Sequence, residues 1–281
     1  MISANDFARD ARALPMLKGQ ELQLIRLLDD PDADLSIIGR LVKADPTMTA
    51  NLLRLANSVI ARGAQPVATA HEAIVRLGLR QVGKIVLGKA LHAVLPADLA
   101  GYALSSEGFF RHCVAVAILT EQLSKRLGGR TESWFTAGLL HDMGKLVVST
   151  HLARSAPEVA HALEAVGATF VQAERTVLGT DHTEVAGLVA RHWGLPDELA
   201  IAARWHHEPL EAPAPQRTLA CAVHVADALA HLLGMGADQG ELRRELDSGA
   251  CEVLRLTSTA LEDLCRESLV AIEAFAAPPE P

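Results

Sequence analysis

Seven side chains in five separated stretches share one kind of chemistry: His112, His141-Asp142, His182, His206-His207 and Asp227. Imidazole nitrogen and carboxylate oxygen, with no thiolate among them, suit a borderline or harder divalent ion: Fe, Mn, Co, Ni or Zn, and less readily Mg. Seven donors exceed what one tetrahedral site takes, so the set has room for two ions bridged by Asp142. Adjacent residues on a helix diverge by about 100°, so His206 and His207 either serve different ions or only one of them is a ligand. Each segment also has a plainer reading. His141-Asp142 alone is compatible with a helix end closed at Gly144, with Asp142 paired to Lys145. His182 can cap the helix it opens, helped by Asp181 and Thr183, and His206-His207 can be a half-buried pair beside Trp205. Asp227 resists such a reading, because a lone carboxylate in the apolar run CAVHVADALA is costly without partners. His224 reads as a surface residue more readily than as support for a ligand. His71, His92, His151, His161, His192 and His231 match no pattern and read as structural or solvated.

These segments lie 20 to 40 residues apart, about one helical hairpin each, so neighbouring helices can aim them at one point, as in metal sites of helical bundles. Helical periodicity dominates the chain, with no series of alternating strands. Apolar stripes run over about 22–28, then over 35–42 behind the cap Asp34, with Asp30-Pro31-Asp32 between them. A third helix opens at Asp45-Pro46, since Pro suits a first turn, and closes near Asn57-Ser58. Helices over about 69–77 and 80–91 meet at Gly78. Beyond a seam at Pro96 to Gly101, a long apolar helix covers about 107–127. Another runs from about 131 to His141, with shorter ones over 156–166, 168–178, 182–193 and 197–207. Pro209, Pro213 and Pro215 stop the last of these, and two or three more helices reach Phe275. The expected architecture is all-α with two helical lobes, residues 1–100 and 101–281. Arg76, Arg80 and Lys84 follow i, i+4 spacing and read as a solvated face rather than a phosphate or acidic-partner site.

Among 281 residues, 49% are apolar and 21% charged, an ordinary globular balance. The net charge of −8 argues against a general nucleic-acid or anionic-membrane binder. No apolar run approaches the roughly 20 residues that span a bilayer, and the first residues carry no basic-then-apolar secretory signal. Cys113, Cys221, Cys251 and Cys265 are too dispersed for a CxxC pair or a disulfide framework. A soluble, reduced, cytoplasmic protein with core cysteines is expected.

The stretch TAGLLHDMGK (Thr136 to Lys145), with His112 before it and Asp227 after it, resembles the H…HD…D pattern of the HD superfamily of metal-dependent phosphohydrolases. His182 and His206-His207-Glu208 are similar to the extended ligand set of its HD-GYP branch, which hydrolyses cyclic di-GMP. The first lobe points to a narrower relative. Leu14-Pro15-Met16-Leu17, Asp45-Pro46-Thr47, Asn51 to Ser58 and Ala73-Ile74-Val75-Arg76-Leu77-Gly78 resemble hallmark segments of HDOD domains, the HD-related output domains of bacterial signal transduction. Over roughly residues 12–230 the chain is thus identified as a member of that family, whose members are all-helical and many of which have lost the metal ligands.

This resemblance implies a signalling protein acting on partner proteins in trans, with input arriving from another chain and a retained site for one or two divalent ions. It also implies an alternative, a metal-dependent phosphohydrolase acting on a nucleotide or cyclic dinucleotide. Asp142 is then the bridging ligand, and Lys145 holds a phosphate oxygen of a phosphoester substrate as a point charge. Gly138 and Gly144 would let backbones approach closely around the site. Two departures bear on the branch. Pro209 to Pro215 reads PLEAPAP in place of a GYP-type loop, which counts against cyclic di-GMP hydrolysis. Gly108 stands where trinuclear members carry a Glu ligand, which counts against a third metal. No other cofactor site, nucleic-acid partner or membrane contact is expected, and the Leu- and Ala-rich helices are compatible with a homodimer.

Overall fold

The computed structural model describes residues 4–15, 17, 19–29, 36–43, 46–57, 65–129, 132–164, 168–235 and 246–276. Met16, Asp30-Pro31-Asp32, Asp34, Asp45, Ser58, the 165–166 end of one expected helix and the C-terminal tail lie outside the described residues. The first half carries α1 (Ala4–Ala13), α2 (Gly19–Asp29), α3 (Ser36–Lys43), α4 (Pro46–Ala56), α5 (Ala70–Leu77) and α6 (Leu79–Val94). The second half carries α7 (Ser106–Arg126), α8 (Glu132–Leu140), α9 (Lys145–Arg154), α10 (Ala156–Leu163) and α11 (Phe170–Leu178). It continues with α12 (His182–Trp193), α13 (Asp197–Trp205), α14 (Ala214–Leu232), α15 (Ser248–Val253) and α16 (Ser258–Ala276). The fold is all-α as expected. Among the described residues its one departure is a two-residue antiparallel ribbon at the seam, β1 (Asp98–Leu99) with β2 (Leu104–Ser105).

Local chemistry sets many of these boundaries. Thr69 and Glu72 form a capping box that starts α5, and Thr169 with Gln172 does the same for α11, each pair satisfying two otherwise orphaned backbone donors. Asp181 caps α12 through the amides of Thr183 and Glu184. α1 and α9 were not anticipated from periodicity. α9 follows α8 after a tight turn over 141–144, which hides the break between them in one apolar run.

The buried residues form two clusters. A smaller one joins α2 to α6 through Leu24, Ile38, Leu52 and Val82. A larger one is built around α7, which packs most extensively on α8, α14 and α16. α1 belongs to the larger cluster through Phe7 and Ala11 and packs on α12 and α9. Residues from the chain's start therefore help to wall the lobe that holds the His/Asp residues. At the other end, Phe275 of α16 packs against both clusters.

The expected solvated face of Arg76, Arg80 and Lys84 does not form. Gly78, at φ +80°, ends α5 and rotates α6 away. Arg76 donates to the carbonyls of Ala56 and Gln65, Arg80 donates to that of Leu28, and Lys84 is buried beside Glu121. Asn57 also reaches further than a local turn, exchanging hydrogen bonds with the backbone of Val67. Cys113 and Cys221 are buried, whereas Cys251 and Cys265 are half-buried. Among the described residues no helix is long and apolar enough to cross a membrane.

Candidate metal centre

The seven donors come from five helices or their ends and converge inside the larger cluster. α7 carries His112 along its length. His141 and Asp142 sit in the turn that follows α8, and Lys145 is the first residue of α9. His182 opens α12, His206 and His207 follow the last residue of α13, and Asp227 lies within α14. Two glycines permit this convergence. A Cβ on Gly138 would lie 2.7 Å from the Ala117 Cα, so α7 and α8 approach too closely for any side chain there. A Cβ on Gly144 would lie 1.8 Å from the His182 carbonyl oxygen, which keeps the 141–144 turn against α12.

The histidines are oriented by what their Nδ1 atoms do. His141 Nδ1 lies 2.8 Å from the Gly138 carbonyl and His206 Nδ1 lies 2.8 Å from that of Ala203. Each is a carbonyl three residues back in the last turn of a helix, one of the acceptors that a helix end leaves orphaned. His112 Nδ1 bonds to the Met235 carbonyl at 3.0 Å. His182 Nδ1 bonds to the Glu174 carboxylate at 2.9 Å. A carbonyl or carboxylate can only accept, so all four Nδ1 atoms carry the proton and all four Nε2 atoms of the neutral rings present lone pairs.

Those lone pairs meet carboxylate oxygens. Asp142 Oδ2 lies 3.3 Å from His141 Nε2 and 3.7 Å from His112 Nε2. Asp142 Oδ1 lies 3.3 Å from His182 Nε2 and 3.6 Å from His206 Nε2. Asp227 Oδ1 is 3.1 Å from His112 Nε2 and 3.8 Å from His141 Nε2. Among the described residues, Nε2 of His112, His141 and His206 makes no hydrogen bond. Two donor groups result, each with ligand atoms within 4.8 Å of one another: His112, His141 and Asp227, and Asp142, His182, His206 and His207. Asp142 turns one oxygen to each group. Six of the seven donors are buried and His207 is half-buried.

Burial pushes the pKa of His112 well below its ordinary value, reinforced by the His231 and His141 charges. Burial likewise pushes His206 down to about 3. For His182 burial acts downward too, but the Glu174 carboxylate outweighs it and the net shift is upward. Burial alone would raise the Asp142 carboxyl; the electrostatic pull of the neighbouring His141 and Lys145 outweighs it and holds the group well below the usual range. Lys145 is buried, its Nζ 2.9 Å from Asp142 Oδ2 and 5.3 Å from the centre of the Tyr102 ring. Asp142, Asp227 and Glu174 thus bring three buried carboxylates to a volume whose imidazoles turn lone pairs inward. Lone pairs facing carboxylates in a dry interior repel, and a divalent cation between them turns that repulsion into ligation. The donor set fits such an ion.

Sequence reasoning missed the residues that support this set. Glu174, fully buried on α11, accepts from the His182 backbone N–H and ring and from the Tyr102 hydroxyl at 2.8 Å. No spacing signal marks it, since it reaches His182 only across the turn from Gly179 to Asp181 that joins α11 to α12. His224, read as a surface residue, is buried: its Nδ1 bonds to the His206 carbonyl, and its Nε2 accepts the Asp247 amide. His231, grouped with unpatterned histidines, has Nε2 3.3 Å from Asp227 Oδ1 and its ring 4.5 Å from that of His112. Its i+4 spacing from Asp227 was a legible signal, because such residues share a helix face.

Comparison with known proteins supports this architecture. The HDOD domain family matches residues 14–209, a stretch that includes every donor except Asp227. An uncharacterized protein of Treponema pallidum (strain Nichols) is 26% identical over 245 residues, covering 83% of this chain, and the chain spans 45% of that relative's length. An HDOD domain protein of unknown function from Geobacter sulfurreducens superposes with TM-score 0.76 at 22% identity, covering 98% of each chain. A Shewanella amazonensis SB2B protein named "Putative phosphohydrolase" superposes with TM-score 0.73 at 23% identity, covering 96% of each chain. A Marinobacter aquaeolei VT8 protein named "Putative signal transduction protein" superposes with TM-score 0.71 at 22% identity, covering 94% of this chain and 58% of that one. These likenesses are of fold, and the family match spans well over half of the sequence: the chain belongs to the HDOD domain family.

Proposed function

We propose that this protein acts in signal transduction through protein partners and that its second lobe holds divalent cations in two adjoining positions. The observation that carries the metal reading is the set of four buried histidines that spend Nδ1–H on carbonyls or a carboxylate and turn Nε2 toward Asp142 and Asp227. His112, His141, Asp227 and Oδ2 of Asp142 would hold one ion; His182, His206, His207 and Oδ1 of Asp142 would hold the other. Fe, Mn, Co, Ni and Zn suit this imidazole-rich set. The signalling half of the reading is supported by membership of the HDOD family and by the name of the Marinobacter protein that shares the fold.

A second reading, hydrolysis of a phosphoester of a nucleotide or cyclic dinucleotide, is favoured by one observation: two donor groups share a single carboxylate. Divalent ions held in that way supply Lewis-acid activation of a phosphoester. Lys145, with Nζ 2.9 Å from Asp142 Oδ2, keeps the shared carboxylate ionised and oriented. Burial weighs against this reading, because a substrate must approach beside His207, the one half-buried donor. Closed sites are the mark of structural ions, whereas catalytic ones keep a position open.

Anaerobic purification, metal analysis and phosphodiester assays on wild type and Asp142→Ala separate the readings. Near-stoichiometric metal in wild type, lost in Asp142→Ala and without turnover in either, supports the signalling module. Turnover abolished by the substitution establishes the hydrolase. Absence of metal in wild type overturns both metal assignments.

A further inference from the structure

Away from the His/Asp centre, the two lobes meet around a second set of buried charges. Lys84 of α6 and Glu121 of α7 pair at 3.1 Å with side chains only 5% and 10% exposed. Lys125, one turn further along α7, pairs with the same carboxylate. A cavity of about 340 Å³ opens beside them, walled by α4, α5 and α6 on one side and by α7, α8 and α16 on the other. That volume is in the range of small-molecule sites, about 300–1,000 Å³.

The lining has two characters. Leu55, Ile85, Ile118, Phe135 and Phe275 make an apolar wall, with aromatic rings contributed by α8 and α16. The same lining carries Arg76, Lys125, Gln81 and Gln122, with Glu121 the one carboxylate among the described lining residues. Arg76 is held by the carbonyls of Ala56 and Gln65. Those carbonyls position the guanidinium without cancelling its charge and leave further N–H groups to donate. Counting Lys84 behind Glu121 and Glu72 beside Arg76, three cations face two anions in a chain whose net charge is −8. A local surplus of positive charge at a low-dielectric seam favours an anion strongly.

We propose that this cavity binds a small organic anion of mononucleotide size, one with a flat apolar body and a single phosphate-type group. The anionic group would sit between Arg76 and Lys125, the body would lie against Phe135 and Phe275, and the amides of Gln81 and Gln122 would meet its polar edge. Because the walls come from both lobes, binding stiffens their interface. The site is independent of the metal reading, whose residues it does not use.

The test uses the full-length, metal-replete protein with AMP, GMP and 1-anilinonaphthalene-8-sulfonate as probes, read by calorimetry and thermal shift. At least one probe is expected to bind and to raise Tm. Lys125→Glu, at a position whose side chain is 49% exposed and so tolerant of change, is expected to weaken binding about tenfold or more. Ala271→Trp is expected to fill the cavity and abolish binding. Arg266→Glu, in the separate apolar groove between α14 and α16, is expected to leave affinity unchanged. Circular dichroism confirms that each variant is folded. The proposal is overturned if no probe binds at millimolar concentration, or if binding persists undiminished in Lys125→Glu and folded Ala271→Trp. Sensitivity of the anilinonaphthalene signal to Arg266→Glu alone would likewise overturn it, assigning that probe to the other groove.

Discussion

The two sides of Asp142 are built from the same residue types but carry different charge. On the Oδ2 side a second carboxylate, Asp227, faces three imidazoles, those of His112, His141 and His231, and the Lys145 ammonium balances part of the negative charge. On the Oδ1 side three imidazoles stand alone, and the extra carboxylate, Glu174, is set one layer back behind His182. Solvent separates the sides as well, since His112, His141 and Asp227 are all buried while His207 is half-buried. The contrast teaches that a shared carboxylate does not make two equal positions. The side with two carboxylates in direct reach should hold a cation more tightly, and the imidazole side should exchange its ion more readily.

Substitutions can test this ranking. Asp142→Ala removes the group common to both sides and should have the largest effect: bound metal falls from as many as two equivalents to near zero by elemental analysis. The Tm gain that metal confers on wild type, read as the drop on chelation, should vanish with it. Asp227→Asn should come next, removing the tighter ion while a weaker one persists; equal loss from both sides would contradict the asymmetry. Glu174→Gln keeps the size of a group that orients His182, and should weaken the imidazole-side ion by about 10- to 100-fold with the other side spared. His207→Ala should have the smallest effect, under about tenfold in affinity by competition with a metal indicator. A larger loss than for Glu174→Gln would show that His207, and not the oriented His182, anchors that side.

The donors themselves were legible in the sequence because imidazole and carboxylate in helical surroundings, spaced by hairpin lengths, have few other joint explanations. The all-α character was legible for a related reason: apolar periodicity and capping residues such as Thr69, Thr169 and Asp181 act over one or two turns. The supports were not legible. Glu174 carries no mark in its own helix, and its role depends on tertiary placement that lets one carboxylate reach both His182 and Tyr102. The burial of Lys84 against Glu121 was hidden by a spacing that reads as a solvated stripe, since nothing local says that α7 will cover it. His224 was misjudged for the same reason, because its partners are a carbonyl eighteen residues back and an amide twenty-three residues on.

Chemistry that depends on residue type and on helical period, namely which atoms can donate to a cation and where helices start, is written along the chain itself. Tertiary packing alone decided which oxygen of Asp142 faces which imidazoles, which carboxylate lies behind His182, and that α1 walls the second lobe. Those outcomes turn on contacts between residues far apart in sequence, formed when helices bury their apolar faces together, and no local pattern encodes the angle or register at which two helices meet.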